Sequence, residues 1–180
     1  LDLTLSDDLD LPGISIMNLG SIKSDSEIST QLEKQLGSLI DLSEEGFAAL
    51  NTAFLSDGVA IFVPEGIEVD RLINVVFLNS GQSNVVSHPR VFLKVGSDSS
   101  ISLVESYVGG SKDVSLTNSV SEIIIDKRST VRHYRLLDES DTTYDVGYGR
   151  VTIDEEASFF SRSFFKGASI GRYDLNVSME

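Results

Sequence analysis

The chain has no cysteine and no tryptophan, only three prolines and two histidines, and half as many basic as acidic residues. Without cysteine there is no disulfide, no thiolate metal ligand and no thiol nucleophile in these residues, and the composition suits a cytosolic protein. The two imidazoles, His88 and His133, do not stand at a metal-ligand spacing, and no cysteine complements them. The formal net charge is −14, from 14 Lys and Arg against 28 Asp and Glu. No stretch supplies the basic footprint that phosphate neutralisation requires, so nucleic acid is not an expected partner. Anionic membrane surfaces are disfavoured for the same reason. No apolar run approaches the ~20 residues of a membrane span, and no segment resembles a signal peptide. A cytoplasmic location follows as the expectation, and the sequon Asn176-Val177-Ser178 carries no weight without secretory features. No Walker-type phosphate loop, calcium-binding nonapeptide or nucleophile elbow is present, and Gly109-Gly110 and Gly147-Tyr148-Gly149 are too short to serve as phosphate loops.

What is present is repetition. Ile61-Phe62-Val63, Leu93-Lys94-Val95, Ile123-Ile124-Ile125 and Val151-Thr152-Ile153 fall in one column, with spacings of 32, 30 and 28 residues from 61 to 93, 93 to 123 and 123 to 151. Each is followed by a polar turn and a second apolar position, Ile101, Val131 or Phe159 in the later units. Units that recur in this way bury their apolar faces against one another, as in a solenoid. Side chains alternate along a strand, so columns 61/93/123/151 and 63/95/125/153 face inward and the middle column, with Lys94 and Thr152, faces outward. Stacked parallel rungs call for right-handed crossovers. The expected fold is therefore mainly β: a right-handed parallel β-helix, with a jelly roll or antiparallel sandwich as the competing architecture.

Ahead of the repeats the pattern changes. After the Pro12-Gly13 turn, Ile14-Ser15-Ile16-Met17 reads as a strand. Ser26 opens a helix that Gly37 stops. A second helix starts at Ser43, with Glu44 and Glu45 in its first turn, and its apolar residues Phe47, Leu50 and Phe54 recur at helical spacing beside Ala48. Ser56-Asp57-Gly58 ends it. The chain thus divides into a loop and helical region, 1–57, and a β-helix core, 58–180, that reads as cut within a longer solenoid.

Five residues stand out as candidates for structural or interaction roles. His133 aligns with Leu103 and Ser161, two residues beyond an inward apolar position, and so points inward or to the rim. His88-Pro89-Arg90 precedes a strand, where the proline's missing donor is tolerated, and His88 or Arg90 is placed to meet a partner. Glu105 and Arg135 occupy equivalent positions on successive rungs, about 4.8 Å apart, and are expected to form an ion-pair ladder. The acidic runs Asp138-Glu139-Ser140-Asp141 and Asp154-Glu155-Glu156 fall in turns and read as solvated. No catalytic, cofactor-binding or metal-binding residue emerges.

An ordered set of segments covers roughly residues 43 to 175. The set begins with Phe47-Ala48-Ala49-Leu50-Asn51-Thr52-Ala53-Phe54, then Asp57-Gly58 and Ile61-Phe62-Val63-Pro64-Glu65-Gly66. It continues through Ser87-His88-Pro89-Arg90, Val104-Glu105-Ser106-Tyr107-Val108-Gly109, Leu116-Thr117-Asn118-Ser119-Val120-Ser121-Glu122 and His133-Tyr134-Arg135-Leu136. Taken together, these segments resemble the SufB/SufD family of iron–sulfur assembly proteins, and His88-Pro89-Arg90 and Asp57-Gly58 look like SufD rather than SufB. The resemblance implies a right-handed β-helix with helical regions before and after it, in a complex with SufB and the ATPase SufC. It also implies that the family's cluster-related ligands lie further toward the C-terminus, so it carries no such residue onto this chain. The expected function is a non-catalytic scaffold subunit of an iron–sulfur cluster assembly complex. The cluster and ATP are expected only in the partner complex, and neither is expected on this segment. A secreted β-helix that acts on or binds carbohydrate is the alternative.

Overall fold

The computed structural model describes residues 11, 13–21, 27–79, 84–110 and 113–180. Strand β1 (Ser15–Asn18) and a short 3-10 turn lead to helices α1 (Glu27–Gln35) and α2 (Gly46–Ala53). Ten strands follow: β2 (Val59–Val63), β3 (Glu68–Asn79), β4 (Val85–Ser87), β5 (Arg90–Val95), β6 (Ser100–Gly109), β7 (Ser115–Ile125), β8 (Thr130–Asp138), β9 (Thr143–Ile153), β10 (Ser158–Lys166) and β11 (Ile170–Met179). They coil through two sheets. Sheet A runs β1-β2-β5-β7-β9-β11, with β4 also on β7, and sheet B runs β3-β6-β8-β10. Every rung pairing is parallel, and only β1 joins β2 antiparallel. The fold is a parallel β-solenoid of about four turns with a short helical region ahead of it.

The register matches the alternation in the sequence. Ile61, Leu93, Ile123 and Val151 are direct partners, as are Val63, Val95, Ile125 and Ile153. These two columns form most of one closed apolar cluster between the sheets, together with Ile101, Leu103 and Val131. A fifth member joins each column, Val177 on Val151 and Met179 on Ile153, so the spacing shortens once more, to 26 residues from 151 to 177.

One corner keeps a constant four-residue length, at 64–67, 96–99, 126–129 and 154–157. Its third residue is left-handed in every turn: Gly66 (φ 75°), Asp98 (57°), Arg128 (57°) and Glu156 (57°). A non-glycine residue there costs about 1–2 kcal/mol, and stacking contacts offset it. The Ser99 hydroxyl donates to the Pro64 carbonyl (2.7 Å) and accepts the Ile67 amide (3.0 Å). Ser129 repeats both bonds one rung on, to the Gly96 carbonyl and from the Ser99 amide. Outside, Arg128 holds both oxygens of Asp98 at 2.7 and 2.6 Å.

The outer face of sheet A is covered by the helices. Leu32 of α1 packs on Ala60, Phe62 and Phe92, and Ala48 of α2 packs with Val120, Val146 and Tyr148. The middle column does point outward, but Phe62 is buried beneath α1 rather than solvated. Helix α2 departs from expectation in two ways. It starts at Gly46 rather than Ser43, and Glu45, at its N-cap, makes no side-chain cap bond. The Glu45 carboxylate instead accepts Arg150 Nε at 2.7 Å. Its buried side is Ala48 and Asn51, while Phe47 and Phe54 are 42% and 61% exposed. A helix lying flat on a sheet needs small residues at the contact, and the bulky ones are turned to its flanks.

Candidate functional site

Past Leu103 the interior changes character, because the inward columns of β6, β7, β8 and β9 turn polar. Glu105, His133, Arg135, Tyr107, Ser119, Ser121 and Asp145 are all buried there. The register places Leu103 beside His133 and Glu105 beside Arg135. The Glu105 carboxylate receives three donors: His133 Nε2 at 3.0 Å, Tyr107 Oη at 2.7 Å and Ser121 Oγ at 2.8 Å. Burial by itself would raise its pKa, but the charge of His133 and these hydrogen bonds outweigh burial and hold it below the ordinary value. The same burial, with the Glu105 charge 2.7 Å away, drives the Tyr107 phenol well above its ordinary value and keeps it a donor.

Arg135 does not close the expected ladder with Glu105. Its Nη2 donates across the interior to both oxygens of Asp145 (2.9 and 3.0 Å) and to Ser119 Oγ (3.0 Å). Its guanidinium stacks 4.2 Å from the Tyr107 ring centroid and 5.0 Å from that of Tyr173. Neighbours in one column share a sheet, whereas the carboxylate that meets Arg135 comes from the opposite sheet. Asp145 is raised by burial, only partly countered by Arg135. Arg135 Nε and Nη1 and Tyr173 Oη are buried without a hydrogen-bond partner. The glycines of Gly147-Tyr148-Gly149 make the room: a Cβ on Gly147 would lie 2.8 Å from Arg135 Nη2, and one on Gly149 would overlap the Tyr173 hydroxyl. That clearance is a function of this tripeptide that sequence reading missed. The signal available was glycine at alternate, inward positions of a strand.

His88 and Arg90 lie elsewhere, on the outer side of sheet A under the helices. Arg90 is fully buried and donates to Glu122 (2.6 Å) and Asn51 (3.0 Å). Burial lowers its pKa, and Glu122 works against that shift. Glu122 also accepts the backbone amides of Gly37 and Leu39, while Asn51 donates to the Pro89 and Asn118 carbonyls. This cluster fastens the helical region to the solenoid. Pro89 separates β4 from β5, as its missing amide requires. His88 stacks on Phe54 at 5.4 Å, and its Nδ1 lies 3.2 Å from Asn118 Nδ2. Partial burial lowers its pKa. At the opposite, wide corner a shallow depression of about 530 Å³ is lined by Asp138, Glu139, Asp141 and Lys166 among others. Among the described residues no three His, Asp or Glu side chains are grouped to hold a metal ion, and no helix is long and apolar enough to cross a membrane.

Comparison with known proteins gives two family matches. Residues 9–75 match the SufBD protein N-terminal region, and residues 77–180 match the family described as SUF system FeS cluster assembly, SufBD core domain. Among curated relatives, the chain is 26% identical over 162 residues to Protein ABCI7, chloroplastic, of Arabidopsis thaliana, covering 84% of this chain and 34% of that protein. It is 23% identical over 159 residues to an iron–sulfur cluster assembly SufBD family protein of Synechocystis, covering 83% and 35%. It is 28% identical over 160 residues to the iron–sulfur cluster assembly protein SufB of Bacillus subtilis, covering 86% and 33%. The chain thus spans about a third of the length of the curated relatives it matches. These relatives include a SufB and SufBD family proteins alike, and they do not separate the SufD subtype from SufB.

Proposed function

The chain belongs to the SufBD family of iron–sulfur cluster assembly proteins, and on that basis we propose that it is a non-catalytic scaffold subunit of the SufD type. In this reading it joins a SufB-type subunit and a SufC-type ATPase in the cytoplasm. ATP is hydrolysed by the ATPase, and the cluster is assembled in the complex rather than on these residues. The observation that carries the non-catalytic reading is the fate of the reactive side chains. Glu105 and His133, and Arg135 and Asp145, are buried between the sheets as two bonded pairs, so they act as core rather than as a site open to substrate. His88-Pro89-Arg90 and Asp57-Gly58 favour the SufD subtype within the family.

Affinity isolation of the full-length protein from its native cell tests the reading. Co-isolation of a SufB-type and a SufC-type protein in fixed stoichiometry is the expected result. Isolation of the protein free of both would overturn the scaffold assignment.

A further inference from the structure

Sheet A carries two helices on its outer face, whereas the outer face of sheet B carries none among the described residues. That bare face exposes several large apolar side chains among polar ones. The register aligns Val76, Ser106, Leu136 and Phe164 in one outward column and Leu72, Ser102, Arg132 and Phe160 in another, with Asn74, Val104, Tyr134 and Arg162 in the column between them. Leu72, Val76, Phe160 and Phe164 are 59%, 51%, 49% and 57% exposed. A contiguous patch of this kind marks an interaction surface rather than scattered exposure.

Charge indicates what fits it. The chain holds twice as many acidic as basic residues, and eight of its described Lys and Arg side chains are paired with carboxylates. Arg132 and Arg162, like Lys34 of α1, stand outside those pairs, and the two arginines both lie on this face. Among the described residues Arg132 has no ion-pair partner, and the contact of Arg162 is with the Tyr134 ring, 5.9 Å away. The opposite face of the same molecule shows how such a surface is covered. There α2 lays Ala48 on Val120 and Tyr148, and Glu45 at its N-terminus meets the sheet arginine Arg150. Four strands about 4.8 Å apart span ~14 Å, which suits one helix of about 10 Å diameter.

We propose that the outer face of sheet B docks an acidic amphipathic helix of a partner protein. Its apolar stripe lies along Leu136, Phe160 and Phe164 of the adjacent strands β8 and β10, and its carboxylates meet Arg132 and Arg162 of the same two strands. This inference is independent of the assembly role, because it names a surface and a chemistry rather than a SUF component.

Two synthetic helical peptides test it, with the same leucine stripe flanked by glutamates in one and by lysines in the other. Binding to the full chain is read by fluorescence anisotropy at low salt. The glutamate peptide is expected to bind at least tenfold more tightly than the lysine peptide. Arg132→Glu with Arg162→Glu should reverse that preference, and Phe160→Ser with Phe164→Ser should remove both affinities. All four side chains are exposed, so thermal melts of the variants should match the parent, and Arg132→Gln serves as a milder second variant with an intermediate loss. Equal affinity for the two peptides, or affinity unchanged by the arginine substitutions, would overturn the proposal. So would a concentration-dependent dimer that is lost in the Phe160/Phe164 variant, which would make a second copy the occupant. Arginine-dependent binding to phosphatidylglycerol vesicles without peptide discrimination would overturn it in favour of a lipid surface.

Discussion

Replacing Glu105 by leucine tests whether the polar interior is one coupled unit. The substitution removes the acceptor of three buried donors, His133 Nε2, Tyr107 Oη and Ser121 Oγ. Each buried group left without a partner costs about 1–3 kcal/mol. The new leucine recovers part of this through apolar burial, and breaking one side of a buried pair commonly costs about 3–5 kcal/mol. His133→Leu alone continues the Leu103 column but leaves Glu105 with two donors instead of three. The double variant leaves neither partner alone, so it should cost less than the two single losses together, with a coupling of about 2 kcal/mol. Urea unfolding of the four proteins supplies the cycle. Additivity within about 0.5 kcal/mol would refute the reasoning and mean that His133 and Glu105 are neighbours without a shared bond.

Three further outcomes follow from the same geometry. Ile125→Asp places a charge in the closed apolar cluster and should cost several kcal/mol, about 4 or more, whereas Ile124→Asp, on the partly covered outer face, should cost clearly less in thermal melts. Gly149→Ala drives a methyl into the Tyr173 hydroxyl and should cost about 1–3 kcal/mol. Tyr173→Phe, which removes an unpartnered buried hydroxyl, should be neutral or stabilising and should partly rescue Gly149→Ala in chemical denaturation. In acid, Glu105 has a folded pKa below its ordinary value of 4.5. Its contribution is therefore fully present above that value and is lost as pH falls through the folded one. Stability measured against pH should fall more steeply below about pH 4.5 in the parent than in Glu105→Gln. Asp145, raised by burial, has the opposite sign: its share declines as pH climbs from its ordinary value of 3.8 toward the folded one.

The solenoid was legible because its inward residues repeat with the two-residue period of a strand. Ile61, Leu93, Ile123 and Val151 could be stacked from spacing alone, and β11 added Val177 to that column. The same alignment placed His133 inward or at the rim, and it is buried in the interior. What the period could not give was contact across the interior. Glu105 and Arg135 share a register position, which suggested a direct pair, yet Arg135 meets Asp145 from the facing sheet, and Glu105 meets Ser121 from that sheet as well as His133 and Tyr107 from its own. The glycines of β9 signal room in the interior, but no local pattern encodes which side chains of the facing sheet fill it. Helix α2 was legible as a helix, but its orientation was not: periodicity favoured the phenylalanines, while close packing on a sheet selected Ala48 and Asn51. Asn51 is the clearest omission among the buried residues. Its role rests on carbonyls left accessible beside the His88-Pro89 break, which become visible only once β4, β5 and β7 are assembled.

The measurement that bears most directly on the scaffold reading is complementation with an apolar interior. A strain lacking the protein would receive the full-length protein carrying Glu105→Leu and His133→Leu, with folding and retention of partners checked on the purified product. The activity of a cellular iron–sulfur enzyme is then compared with that restored by the parent. A scaffold predicts restoration close to the parental level, because the interior network only holds the fold. Loss of that activity in a protein that still folds and still binds its partners would show that the interior takes part in the chemistry, and would contradict the account.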